Sequence, residues 1–389
     1  MEKYDAIILG AGASGLMAAI RASERGRRVL VVDHSEKAGR KLLASGGGKC
    51  NVTNRHVSVS DYLGEDSSFC RHALGQFTVD SIAGILRGAG IETEEREHGR
   101  IFCKNGAGEI VAYLTGAAKS GGADFSLGAD VSEVSHTACF QVKCGRVRYE
   151  SQRLLVATGG LAWPQTGATD LGYRIARQFG HRVTPLRPAL AGFVLPQDSP
   201  LLHLQGISLN AQLRIRGKSA AVEEPLLFTH RGISGPSVLQ ISCFYEKDDV
   251  VEINFLPPED AVALMHDPRN GKLLVKNLFA HLLPERLVRA IIPAGLSERK
   301  VAGLARKERG IIAGCIHSFP VCPASPESFS RAEATMGGVR TSEINPKSME
   351  SLLTEGLFFS GEVVDITGRL GGYNIHWAFA SGHLAGEYL

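Results

Sequence analysis

Three glycine turns, each behind an apolar run, constrain this chain more than any other feature. The first is Gly10-Ala11-Gly12-Ala13-Ser14-Gly15, after Ala6-Ile7-Ile8-Leu9. The second, Thr158-Gly159-Gly160, closes the run Leu154-Leu155-Val156-Ala157. The third, Gly361-Glu362, follows Phe358-Phe359-Ser360 and leads to Asp365. One G-x-G-x-x-G is a weak signal. Three strand-ending turns in this order point to a dinucleotide on a Rossmann-like sheet whose strands are scattered along the chain.

The first turn has a physical reading. Residues 4–9 form a buried parallel strand, and residues 14–25 a helix with the small residues Ala18, Ala19 and Ala22 on its packing side. Gly10 permits the tight exit from the strand. Gly12 removes the side chain that would block a pyrophosphate, and Gly15 lets the helix sit close to the sheet. The helix N-terminus, at Ala13 and Ser14, then turns its free N–H groups and dipole toward the phosphates. The next apolar run ends in Asp33, at the spacing of an acid that bonds the adenosine ribose hydroxyls. With the later turns, the set points to FAD.

Length and composition set outer bounds. At 389 residues the chain exceeds one ordinary domain. Its 45 glycines sit at strand ends and turns without a fixed period, as in a loop-rich α/β enzyme. The net charge of +3 neither demands nor excludes a nucleic-acid partner. The eight cysteines include no C-x-x-C pair. That speaks against a zinc site and a disulfide framework and for reduced thiols in the cytoplasm. The first strand starts at once, so no signal peptide is expected, and no stretch reaches the ~18 apolar residues of a membrane helix.

The expected fold class is α/β, with a split Rossmann-like FAD-binding domain formed by 1–187 and 332–389. Into it are inserted an antiparallel β-barrel domain, 188–258 with 311–331, and a small helical domain, 259–310. Pro185, Pro188, Pro196 and Pro200 mark the first boundary. Helices are expected near 78–90, 108–121, 171–180 and 375–388. Alternation from about 124 to 149 reads as an antiparallel meander, and 153–157 as a strand returning to the main sheet. Alternation also marks 209–216 and 250–255 as strands, and 311–320 are expected to rejoin the barrel.

Four further segments carry a family resemblance. They are Gly39-Arg40-Lys41 running into Ser45-Gly46-Gly47-Gly48-Lys49-Cys50-Asn51-Val52-Thr53-Asn54; Ala157–Gly160 with Trp163–Gly167; Thr229–Pro236; and Thr335–Val339 with Ser360–Asp365 and Gly371-Gly372-Tyr373-Asn374. In this order the chain resembles the BaiN/RdsA-type family of FAD-dependent oxidoreductases, among the two-dinucleotide-binding-domain flavoproteins. The resemblance implies FAD, a Rossmann–barrel–helical architecture and no separate classical nicotinamide domain. It also implies that Asp365 holds the ribityl chain and that the last helix aims its N-terminus at the flavin. The 168–170 stretch, Leu370 and His376 depart from the common family pattern, and all lie near the expected flavin.

The residues suggest chemistry with alternatives open. Three consecutive glycines, Gly46 to Gly48, allow backbone to approach a flat ring or a phosphate. The loop Ser45–Asn51 would then cover the isoalloxazine, with Lys49 or Cys50 contacting flavin or donating a proton; equally, Cys50 is a small packing residue. Tyr373 or His376 could donate a proton to a substrate carbon, or Asn374 and its neighbours could simply start the helix. Glu97–Phe102 faces a cavity or is a solvated turn, and His230 and Arg231 precede a turn that need carry no chemistry. No metal ligand set is expected.

The stretch 269–309 holds ten basic residues against three acids. It is either a phosphate-facing surface or a solvated helical face. The resemblance and the flavin reading imply a reductase that adds hydride to a conjugated C=C bond. Its substrate would be a uridine of large-subunit ribosomal RNA, giving dihydrouridine, or a small steroid-like enone. An oxidase of a small amine or ketone and a non-catalytic flavoprotein are the other classes. No second G-x-G-x-x-G lies between strand and helix, so the electron donor is either NAD(P)H docking transiently over the flavin or another reduced carrier.

Overall fold

The computed structural model describes residues 2–389. Its contacts divide the chain into two compact units, Met1–Pro188 with Glu333–Leu389, and Ala189–Ala332. Each has its own apolar core.

The first unit is built on a seven-stranded sheet. Glu2–Leu9 lies parallel to Val29–Asp33 on one side and to Val147–Val156 on the other. Asp124–Leu127 extends the sheet beyond Val29–Asp33, also parallel. The far edge of Val147–Val156 is shared: Val147–Ser151 pairs antiparallel with Phe140–Cys144, and Leu154–Val156 pairs parallel with Leu357–Phe359. Chain order therefore reverses at Glu2–Leu9, so the crevice beyond Leu9, Val32 and Val156 is the switch point where such sheets take ligands.

The expected antiparallel meander is present as Val131–His136, Phe140–Cys144 and Val147–Ser151, each antiparallel to the next and all part of the main sheet. Its expected first strand differs: Asp124–Leu127 pairs parallel with Val29–Asp33 instead. The strand expected at 153–157 is the second half of a ten-residue strand, Val147–Val156. It can be long because its two halves meet different partners.

The first and last helices, Ala13–Glu24 and Tyr373–Tyr388, pack nearly backbone to backbone. A Cβ on Gly382 would overlap Ser14 O, and one on Gly386 would stand 2.7 Å from Ala18 O. Two glycines four apart thus lie over two residues four apart, the spacing that one helical face allows.

In the second unit seven strands pair antiparallel, in the order Phe319–Val321, Val251–Asn254, Ser208–Ile215, Ala221–Phe228, Gly232–Ser234, Phe193–Val194, Ser325–Pro326. The sheet stays open, which corrects the expected barrel. Its two edge strands are three and two residues long and carry Pro320 and Pro326, which cannot donate to a further ladder. The helix Arg306–His317 also runs past residue 310, through a stretch expected to be strand, because Ile312 and Ile316 recur at helical spacing into the core. Among the described residues no helix is long and apolar enough to cross a membrane.

The glycine seam gives a direct test. Gly382→Ala should cost about 1–3 kcal/mol by overpacking. Gly116→Ala, in a helix with open space at its Cβ, should be neutral or stabilising by up to about 1 kcal/mol. Urea unfolding of both variants reads the difference.

Candidate functional site

The site gathers at the carboxyl ends of the parallel strands of the first unit. Gly10 leaves Leu9 at φ +110°, and its N–H donates to Val32 O at 2.8 Å. A Cβ there would collide with Ala157 O, and a Cβ on Gly15 with Gly10 O. Gly12 differs: it has an ordinary φ of −85°, and a Cβ on it would meet nothing within 4 Å. Two glycines are thus demanded by packing, while the third faces open space. Gly12 caps the helix Ala13–Glu24 without a side-chain bond, so the first-turn N–H groups remain turned outward.

Asp33 works first on the protein itself. One carboxylate oxygen accepts from Ala11 N–H and the other from Ser35 N–H, both at 2.7 Å. This holds the turn on which Gly12 stands and leaves each oxygen a further lone pair.

Lys41 and Glu362 tie the later segments to the first. Lys41 Nζ lies 2.7 Å from one Glu362 oxygen, and Thr335 N–H donates to the other at 2.8 Å. The Thr335 hydroxyl in turn accepts from Leu161 and Ala162 N–H, at 2.8 and 3.0 Å, pinning the turn behind Gly159 and Gly160. A Cβ on Gly160 would press on Thr335 Oγ1 and Glu362 Oε1, whereas one on Gly159 would meet nothing within 4 Å. Thr335 was absent from the candidate residues. Its signal in the sequence was a polar residue ahead of Gly337-Gly338. Arg40 bonds the carbonyl of Gln165 at 3.0 Å.

Gly361 takes φ +75° and is held by Ser381 Oγ at its N–H and by the Trp377 indole at its carbonyl, 2.9 and 3.1 Å away. Ser14 and Ser360 share a buried hydroxyl–hydroxyl bond of 2.6 Å. Asp365 is buried, accepts from Glu65 N–H at 3.2 Å, and burial pushes its carboxyl up. The Thr158 hydroxyl is buried with no hydrogen-bond partner among the described residues.

The loop Ser45–Asn51 winds left-handed through Gly46, Gly47, Gly48 and then Cys50, at φ +57°, +66°, +87° and +49°. Ser45 is spent on Leu42 O and Cys50 N–H. Gly47 and Gly48 face open space. Lys49 projects outward, with Glu94 at 3.5 Å. Cys50 is fully buried, and burial pushes its thiol up to about 12. It packs beneath the loop, which fits the packing alternative for this residue and not that of a proton donor.

The last glycines lock onto the same loop. In the amide orientation that satisfies its neighbours, Asn51 donates to Thr53 O and Ile101 O and accepts from Gly372 N–H at 3.0 Å. Asn54 donates to Gly371 O at 3.0 Å. Asn374 exchanges two 2.8 Å bonds with Gly368, starting the helix rather than facing a ligand. The Tyr373 ring stands edge-on to Tyr62, and its carbonyl accepts from the Tyr62 hydroxyl at 3.1 Å.

His376 is corrected from catalysis to structure. It is fully buried, with both ring nitrogens engaged. Nε2 lies 3.1 Å from Phe77 O, which requires the proton there, so Nδ1 accepts from the Thr53 hydroxyl at 2.8 Å. Burial lowers its pKa to about 4. Among the described residues no group of His, Cys, Asp and Glu could hold a metal ion.

Comparison with known proteins follows this geometry. The HI0933-like protein Rossmann domain model matches residues 4–388. The chain is 38% identical over 389 residues to the ribosomal RNA dihydrouridine synthase of Escherichia coli (strain K12), covering 98% of this chain and 96% of that one. It is 39% identical over 394 residues to the protein of the same name from Haemophilus influenzae, covering 98% of both. It is also 29% identical over 401 residues to the 3-dehydro-bile acid delta(4,6)-reductase of Clostridium scindens, covering 98% and 97%.

The buried histidine gives a pH prediction with a definite sign. With its pKa held at about 4, the folded state refuses a proton that the unfolded state, near 6.5, accepts. Stability contributed by neutral His376 is complete above about 6.5 and is lost as pH falls toward 4. Between pH ~7.5 and ~5 the native protein should lose about 2 kcal/mol more than His376→Gln, read from urea midpoints at the two pH values.

Proposed function

The chain belongs to the HI0933-like family, and from that premise we propose that it is an FAD-dependent oxidoreductase, a reductase of uridine in large-subunit ribosomal RNA. One observation carries the reading: identity of 38% and 39% over 98% of the chain to two ribosomal RNA dihydrouridine synthases. The site geometry supports it. Glycine is demanded by packing at positions 10 and 15 and by left-handed backbone at 47, 48 and 159, while at 12 neither requires it; the Cβ positions at 12, 47, 48 and 159 all face open space, which is what a bound dinucleotide needs.

Gly12, Ala13, Ser14 and Gly15 would hold the pyrophosphate of FAD at the helix N-terminus, and Asp33 would take the ribose with its remaining lone pairs. Arg40 and Lys41 add positive charge nearby, Lys41 already balanced by Glu362. The loop Ser45–Asn51 covers the ring. Asp365, Thr158, Gly160 and Gly361 would hold its ribityl chain, and Gly371, Gly372, Tyr373 and Asn374, which start the last helix, would hold the flavin at that helix N-terminus. Bound FAD supplies hydride from its reduced N5 to a carbon conjugated with a carbonyl, and NAD(P)H docking transiently is the proposed electron source.

The protein supplies the proton. Cys50 and His376 are interior groups, and Tyr373 is nearly so. Lys49 stands at the exposed tip of the loop with its side chain 46% exposed, and we assign it the proton delivered to the second carbon of the double bond. The likeness to the bile-acid reductase favours a second reading, reduction of a small enone, which uses the same step on the same residues.

Nucleoside mass spectrometry of large-subunit ribosomal RNA tests the choice. Dihydrouridine should vanish from a strain lacking the gene and return with it; an unchanged level would move the reading to small enones. Gly12→Val should fold but fail to restore activity or retain flavin, because the packing around Gly12 has room for the side chain. Lys49→Met should keep flavin and lose on the order of 10²–10⁴ in turnover.

A further inference from the structure

The ten basic side chains between Arg269 and Arg309 are not equivalent. Arg269 pairs with Asp267, Lys276 with Glu298, Arg289 with Glu285 and Arg299 with Glu308. Arg286 donates to His203 O, and Arg309 meets His266 Nδ1 at 3.2 Å. Lys272, Lys300, Arg306 and Lys307 remain. All four are exposed, and among the described residues none has a carboxylate or other polar partner.

The fold gathers these four. Val301 N–H donates to Leu273 O at 3.0 Å and Val275 N–H to Arg299 O at 2.9 Å, setting Leu274 directly opposite Lys300. Lys272 lies two residues before Leu274, in the turn that leads into this bridge, and Ala302 N–H donates to Gly271 O at 3.0 Å, so the two segments stay joined on both sides of Lys272. Val301–Gly303 then leads within a few residues to Arg306 and Lys307, the first two positions of the helix Arg306–His317. Cations there oppose the helix dipole. The one acid of that turn, Glu308, is already held by Arg299 and by Ala305 N–H.

We infer that Lys272, Lys300, Arg306 and Lys307 form a surface that contacts the phosphate backbone of the RNA substrate. This rests on the RNA reading given above. Unneutralised like charges kept close on an exposed surface gain from a polyanion that spans them, and release of its counterions supplies the binding energy. Arg299, equally basic in the sequence, is excluded from the surface by its own ion pair.

The test uses the full chain with bound flavin and a fragment of large-subunit ribosomal RNA containing the modified uridine, with binding measured across a salt series. One variant carries Lys272→Gln, Lys300→Gln, Arg306→Gln and Lys307→Gln. A charge-matched control carries Arg269→Gln, Lys276→Gln, Arg289→Gln and Arg174→Gln, all ion-paired positions. Flavin content and circular dichroism establish that each is folded. The first variant should flatten the salt slope by about 3 and weaken binding on the order of tenfold or more near physiological salt. The control should keep both. Native binding with an unchanged slope in the first variant, or an equal loss in the control, overturns the surface alone. No RNA binding by the native protein, or binding only to acidic vesicles, overturns the RNA reading with it.

Discussion

The close approach of the first and last helices is the constraint on which the site depends. Ordinary helix pairs stand 8–10 Å apart because side chains fill the gap. Here Gly382 and Gly386 leave Ser14 and Ala18 facing bare backbone. That contact carries the segment from Ser360 to Asn374 onto the turn that opens the chain. The Ser14–Ser360 bond, the Ser381 contact to Gly361 and the Trp377 indole bond all follow from it.

Electrostatics then closes the arrangement. Glu362 takes one bond from Lys41 and one from Thr335, so a single carboxylate joins the segment after Val29–Asp33 to Thr335, whose hydroxyl holds the turn after Val147–Val156. Because both of its oxygens are occupied, it stabilises the loops without presenting a free negative charge where phosphate is expected. Lys49 is paired with Glu94, and the helix Ala13–Glu24 starts without a side-chain cap, so its N-terminus is the positive end offered to a phosphate.

Much of this was legible in the sequence, for physical reasons that differ by element. Buried parallel strands read as continuous apolar runs, so the first strand and Val29–Asp33 were plain. Glycines at 10 and 15 were legible because backbone collisions leave no other residue there. The open sheet of the second unit was not, since alternation signals a half-buried strand and says nothing about whether edges meet. Cys50 and His376 stayed open between chemistry and packing for one reason: a residue type known for chemistry sits beside a ligand motif, while its burial is set by the loop and helix that fold over it. Thr335 was hidden because its role lies in partners 173 and 174 residues away.

The strand order has a consequence for how the chain comes off the ribosome. The inserted unit, Ala189–Ala332, has both its sheet and its core within one continuous stretch. The unit around it needs Leu357–Phe359 beside Val147–Val156 and the terminal helix over Ala13–Glu24. Domains fold as units during synthesis once their contacts are available. The inner module can therefore be finished while the outer one still waits for its last strand and helix. Until Leu357–Phe359 and the helix Tyr373–Tyr388 have been made, Leu154–Val156 lacks its parallel partner and Ala13–Glu24 its packed helix.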